Sequence, residues 1–183
     1  MNAPATLADL RVALPRHYRI EHADARAVEQ ALALRRAVFC DEQGLFSGSD
    51  RDAVDETAIV LVARAVGDAA TGPVVGTVRI HRVGGDEWQG SRLAVAAEFR
   101  RVGALGAALI QLAVRSATSR GCRRFLAQVQ GRNQVFFERL HWQALTHFEL
   151  HGQPHVLMEA DLQHYPRFAP GAPQRIEVHR GRP

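Results

Sequence analysis

The stretch RLAVAAEFRRVGALGAALI, residues 92–110, decides the reading of this chain. Leu93, Ala94 and Val95 form a short apolar strand. A brief turn then carries Arg100 and Arg101, and Gly103 and Gly106 open a segment of helical period. Leu105, Leu109, Leu112 and Ala113 supply its apolar stripe, and Gly121 just past its end is a stop signal. A helix N-terminus offers unpaired N–H groups and the positive end of the helix dipole, so it suits a phosphate. Glycine keeps a side chain out of the approach path, and the two arginines add charge beside it. The spacing has no Gly-Lys-Ser/Thr end, so it is not a P-loop, and it lacks the first glycine of a dinucleotide fingerprint. On the residues alone, the competing reading is a helix whose glycines merely permit close packing on a sheet.

Working outward, HYRIEH (17–22) predicts a first strand, and Asp24 predicts the N-cap of a helix whose Val28, Ala31, Leu32, Arg35 and Val38 share a face. Gly44 to Asp52 reads as a loop. Residues 57–66 and 74–83 are β-branched runs joined by GDAATGP, a hairpin signal, and a second loop at Gly84–Glu87 leads to the strand near Arg92. Downstream, 125–129 predicts a buried strand, 133–140 a short helix, and 142–150 and 155–162 two final strands. The expected fold class is α/β of the α+β type: one domain over 17–165, with a mixed, mostly antiparallel central sheet flanked by helices. A mobile segment is expected at 1–16, and a mobile Pro/Gly/Arg-rich tail with little to pack at 166–183.

Composition narrows the function classes. The 183 residues suit one domain, and 46% hydrophobic residues exclude a disordered chain. No apolar run approaches the ~18–20 residues that span a bilayer. Met1 to Arg16 lacks the apolar stretch of a secretory signal, and two cysteines are too few for a disulfide framework, so a cytoplasmic protein with no membrane partner is expected. All 23 basic residues are arginine, which reads as codon bias in a GC-rich genome. Their distribution is informative: no acid lies between Glu98 and Glu138, whereas Asp41 to Glu56 holds six acids against Arg51. An anion is expected to suit the first region and a cation the second. The pI of about 10 prompts a nucleic-acid reading, which the absence of interleaved aromatics and of any known motif disfavours. His147, His151 and His155 recur every four residues, but Gly152 and Pro154 break the helix that would align them, so no metal is expected.

The 92–110 segment resembles the acetyl-CoA pyrophosphate loop of the GNAT superfamily of N-acetyltransferases, which reads Arg/Gln-x-x-Gly-x-Gly/Ala. Arg100 to Ala104 matches; Leu105 then stands where the last small residue is usual, with Gly106 one step later. NQVFFERLHW (133–142) is similar to the Asn-containing helix and aromatic ending of that superfamily. LRRAVFCDEQGLF with DRDAVDETAIVLVA, and FELHGQPHVLMEADL near the end, resemble a subgroup of bacterial single-domain members associated with nitrogen starvation. The resemblance covers about 17–162. It implies acetyl-CoA as cosubstrate and an amine, small or peptidyl, as acceptor, with a homodimer left open. It implies that the cosubstrate meets Leu93, Ala94 and Val95, then Arg100, Arg101, Val102, Gly103, Ala104, Leu105, Gly106 and Ala107, and Asn133, Phe136 and Phe137.

The chemistry is less complete. The tyrosine that usually protonates the leaving thiolate is replaced by Phe137, which donates no proton. Ser91 and Arg92 offer no base at neutral pH. The candidate bases are Glu42, in the acidic segment, and His155, in the Gly-Gln-Pro-His turn, with His81 and Glu149 behind them. Cys40 and Cys122 read as core or loop thiols. The leading expectation is an acyl-CoA-dependent N-acyltransferase; the alternative is a module that holds acyl-CoA without turnover.

Overall fold

The run IVLVARAV of strand β2 (Ile59–Val66) is apolar almost throughout because both of its faces are covered. Successive side chains of a strand point to opposite faces. Leu61, Ala63 and Ala65 join the core built on helix α2 (Ala104–Ser119), whereas Val60 and Val62 pack with Ala27 and Ala31 of helix α1 (Ala25–Arg36). The result is a sheet between two helices. A computed structural model describes residues 14–66 and 72–180.

Seven further strands complete the sheet: β1 (His17–His22), β3 (Val74–Gly84), β4 (Glu87–Val95), β5 (Arg124–Gln130), β6 (Trp142–Leu150), β7 (Gln153–Ala160) and β8 (Ile176–His179). Their order is β6-β7-β5-β4-β3-β2-β1-β8, with β4 and β5 parallel and the other pairs antiparallel. This is the expected mixed, mostly antiparallel sheet, and β2, β3 and β4 are consecutive in it as the hairpin signals imply.

Several expectations are corrected. β4 begins at Glu87, where a late start near Arg92 was expected, because buried Trp88 extends its pairing with β3 back to the turn. Gln153 and Pro154 belong to β7, so His155 is a strand residue and the turn lies at His151–Gly152. The tail is not wholly without partners. Residues 176–179 add β8 to the edge of β1, where Glu177 binds His17 at 2.6 Å and Arg19 at 3.0 Å. The turn between β2 and β3 and the N-terminal segment fall largely on residues 67–71 and 1–13, outside the described residues.

Local signals explain the helices that frame the site. Asp24 caps α1 by accepting from the Ala27 N–H at 2.7 Å. After Arg36 the chain continues as a π-helical turn, Ala37–Glu42, in which the Gln43 N–H reaches the Val38 carbonyl. α2 ends in a paired cap: Gly121 (φ +88°) donates to Thr118 and Cys122 donates to Ala117. Glycine is needed there by its backbone. Gly76 of β3 is needed by space, since a Cβ would sit 3.0 Å from the Leu109 side chain of α2.

Candidate functional site

β4 and β5 pair only from Glu87 to Gly90 and from Arg124 to Ala127. Beyond that point the two parallel strands part. Gly90 marks the fork, because a Cβ there would meet the Phe125 ring at 3.1 Å. Just past it β4 carries a bulge, with Arg92 at φ +56° and the register against β3 shifting between Thr77 and Arg79. The fork opens into a cleft of about 690 Å³ walled by β4 residues Ser91–Val95, β5 residues Gln128–Gln130, the start of α2 and the π-helical turn. That volume suits a small-molecule ligand.

Most of the residues expected to meet a cosubstrate converge on this cleft. Leu93, Ala94, Val95, Arg100, Val102, Gly103, Gly106, Asn133, Phe136 and Phe137 all line it. Arg101, Ala104, Leu105 and Ala107 do not; Leu105 is fully buried in the core and its N–H donates to the Val102 carbonyl at 3.0 Å, so it is a packing residue. Gly103 is the N-cap of α2 and has no side-chain cap. Its φ of −57° is ordinary, and a Cβ there would meet nothing within 4 Å, so the space above the helix start is open. These features fit a phosphate group: uncapped amides, a dipole end and a nearby guanidinium. Asn133 precedes α3 (Gln134–Glu138) and makes no cap of its own, which leaves its amide to the cleft. Phe137 packs edge-on against Phe136 and Trp142, 5.8 and 5.1 Å between ring centres.

The two candidate bases also reach the cleft, in different states. Glu42 is held by Arg100 through a bidentate pair, 2.6 and 2.7 Å, while Arg100 Nε donates to the Val95 carbonyl. The Arg100 hydrogen bonds keep the Glu42 carboxyl below its usual range. His155 is buried, and its Nδ1 lies 2.9 Å from the Gln153 carbonyl. A carbonyl only accepts, so Nδ1 carries the proton of the neutral ring and Nε2 keeps a lone pair. His81 and Glu149 do not line the cleft. Tyr18 is buried in the core, and Tyr165 accepts from Trp142 and donates to the Leu140 carbonyl, so neither tyrosine serves the cleft. Burial pushes the Cys122 thiol up to about 11, consistent with an inert core thiol.

The acidic segment does not behave as expected. Asp50 binds Arg35 and Arg92, Asp52 binds Arg79 and Arg92, and Asp55 binds Arg35 and Arg79, all between 2.6 and 3.2 Å. Three arginines match three aspartates, so within the acidic segment Asp50, Asp52 and Asp55 are not a free anionic surface for a cation. Arg35 was placed on the buried helix face by its spacing, and it is there, 2% exposed, as an ion-pair hub. Charge alternation within 50–55 opposite buried-face arginines was the signal available in sequence. Sequence reasoning also missed Phe46, Arg92 and His151 as cleft residues, and the Gln130–Gln43 hydrogen bond (3.0 Å) that ties β5 to the π-helical turn. Among the described residues no group of His, Cys, Asp and Glu is arranged to hold a metal, and no helix is long and apolar enough to cross a membrane.

Residues 18–142 match the sequence profile described as the acetyltransferase (GNAT) family. A comparison with curated proteins returned no match. Among solved structures, a Lactobacillus plantarum protein taken to be an N-acetyltransferase superposes with a TM-score of 0.69 at 23% identity, over 78% of this chain and 97% of that one. Escherichia coli ElaA gives 0.65 at 21% identity, over 79% and 98%. BjaI, a CoA-dependent acyl-homoserine lactone synthase solved with SAM and isopentyl-CoA, gives 0.64 at 18% identity, over 81% and 86%. At these identities the likeness establishes a shared fold.

Proposed function

The chain belongs to the acetyltransferase (GNAT) family, and on that premise we propose that it moves an acetyl or other short acyl group from acyl-CoA to an amine by direct transfer. The observation that carries this reading is the fork between β4 and β5, which leads to the uncapped, open start of α2. That a CoA-dependent synthase shares the fold supports acyl-CoA as donor. The cytoplasm, where acyl-CoA is available, is the proposed setting; both cysteines are free thiols.

Acyl-CoA supplies the acyl group as an activated thioester. Among the backbone amides of residues 101–107, those of Val102 and Leu105 already donate to the Phe99 and Val102 carbonyls, and the others hold its pyrophosphate, with Arg100 or Arg101 adding charge. Leu93, Ala94 and Val95, on the unpaired stretch of β4, offer backbone groups to the pantetheine arm, and Asn133, Phe136 and Phe137 close the opposite side. His155 takes the proton from the acceptor ammonium at Nε2, directly or through water. Glu42 suits this task less well, because its ion pair with Arg100 stabilises the ionised form and so weakens it as a base. No tyrosine among the described residues lines the cleft, so the sulfur leaves as thiolate or takes a proton from water.

Phe137 favours a second reading, acyl-CoA binding without turnover. Calorimetry with CoA and thiol release from acetyl-CoA with a panel of amines separate the two. Binding with amine-dependent thiol release supports the transferase, binding without release from any amine supports the binding module, and absence of binding overturns both.

A further inference from the structure

Arg92 is the cleft's unassigned charge. Its backbone sits at φ +56° in the β4 bulge, a conformation that a non-glycine residue adopts only when its surroundings hold it there. The side chain is fixed on three sides. Nε donates to Asp50 Oδ2 at 2.9 Å, Nη2 donates to the Asp50 carbonyl at 3.0 Å and to Asp52 at 3.2 Å, and the guanidinium carbon lies 4.6 Å from the centre of the Phe46 ring. Nη1 has no hydrogen-bond partner among the described residues, yet it is not among the atoms sealed away from solvent. A guanidinium held this way presents one donor edge in a fixed direction.

That edge is separate from the phosphate region. Val95, whose carbonyl holds Arg100, lies three residues further along β4, roughly 10 Å at the rise of a strand. The charged side chains lining the cleft are Glu42, Arg92, Arg100 and Arg132, and Glu42 is already paired with Arg100. The aspartates behind Arg92 are shared with Arg35 and Arg79. Nothing in this lining favours an acceptor with a second ammonium.

Resting on the acyltransferase reading, we propose that the acceptor is an amine bearing a carboxylate, of the amino-acid type, and that its carboxylate docks on Nη1 of Arg92 with its carbon chain against Phe46. Recognition of this kind disfavours an analogue that lacks the carboxylate, because the fixed guanidinium edge is then left without its anion.

The test is acylation by the wild-type protein of matched acceptors: free L-amino acids, the same amino acids as C-terminal amides, and the corresponding decarboxylated amines and diamines. The expected result is a kcat/KM for at least one free acid about 10- to 100-fold above its amide, mostly through KM. In Arg92→Gln that acid-to-amide ratio should fall at least about tenfold, whereas a variant that is merely less stable lowers both rates and keeps the ratio. Calorimetry of CoA binding to the same variant should match the wild type. Turnover of amides or diamines in preference to acids, or an unchanged ratio in Arg92→Gln, overturns the proposal and leaves the transferase intact. No CoA binding and no thiol release with any acceptor would instead sink the transferase reading, and this inference with it.

Discussion

Glu42 and His155 reach the same cleft with opposite availability, and the difference is set by what each already binds. The Glu42 carboxylate is clasped by Arg100 at a site where both side chains are over two-fifths exposed, so the pair itself is worth about 0–1 kcal/mol. His155 has Nδ1 committed to the Gln153 carbonyl, and its Nε2 has no hydrogen-bond partner among the described residues. From this contrast, His155→Ala should lower kcat with a responsive amine by about 10²- to 10⁴-fold, the usual worth of a general base. Glu42→Gln should change turnover less than about tenfold, since it removes only a weak clasp. Single-turnover thiol release between pH 6 and 9 measures both. If His155→Ala keeps near-wild-type rates across that range, the base lies elsewhere.

At the scale of elements, the start of α2 carries the strongest expectation. Gly103 has an ordinary φ, and a Cβ there would meet no other protein group, so Gly103→Ala should leave the fold nearly unchanged. Gly103→Glu puts a carboxylate among the amides proposed to hold the pyrophosphate and should weaken CoA binding at least about tenfold, with little change in melting temperature. Calorimetry on the two variants is the check; equal affinity in Gly103→Glu removes the phosphate from this helix. α2 was legible in the sequence because its apolar stripe, its opening glycines and its closing Gly121 all agree. β2 and β3 were legible from β-branched runs. β8 was not: four residues behind a Pro/Gly-rich stretch carry almost no local signal, and their strand exists only through pairing with β1, about 158 residues away in Arg19 and Glu177. The residues proposed to meet the cosubstrate could be read because they fall in two short contiguous segments, 93–107 and 133–137. On the facing wall only His155 was legible, because Phe46, Arg92, His151 and His155 come from separate elements that meet only in the folded chain.

Across the whole molecule, the arginine–aspartate network fastens the loop between α1 and β2 to three elements at once: α1 through Arg35, β3 through Arg79 and β4 through Arg92. The wall of the cleft proposed to take the acceptor inherits its shape from that fastening, since Phe46 and Arg92 flank it. The network also sets how the protein responds to acid. For Asp55, burial opposes ionisation, but hydrogen bonds from Arg35 and Arg79 outweigh it and hold the carboxyl far below its ordinary range. Asp52 is lowered as well, chiefly by its hydrogen bonds from Arg79. A carboxyl whose value falls on folding stabilises the native state fully above its unfolded value, near pH 4, and loses that contribution as pH drops towards its folded value. Stability to urea should therefore hold between about pH 5 and 8 as far as these groups are concerned, then decline below about pH 4. Asp55→Asn leaves Arg35, itself 2% exposed, and Arg79 short of an anion, and should cost about 3–5 kcal/mol at pH 7. Because the substitution also removes a titrating group, the gap between variant and wild type should narrow as pH falls from 5 to 2.5. Urea melts at three pH values decide it: a gap that stays constant, or a variant as stable as the wild type at pH 7, would mean that packing and not this charge network holds the loop in place.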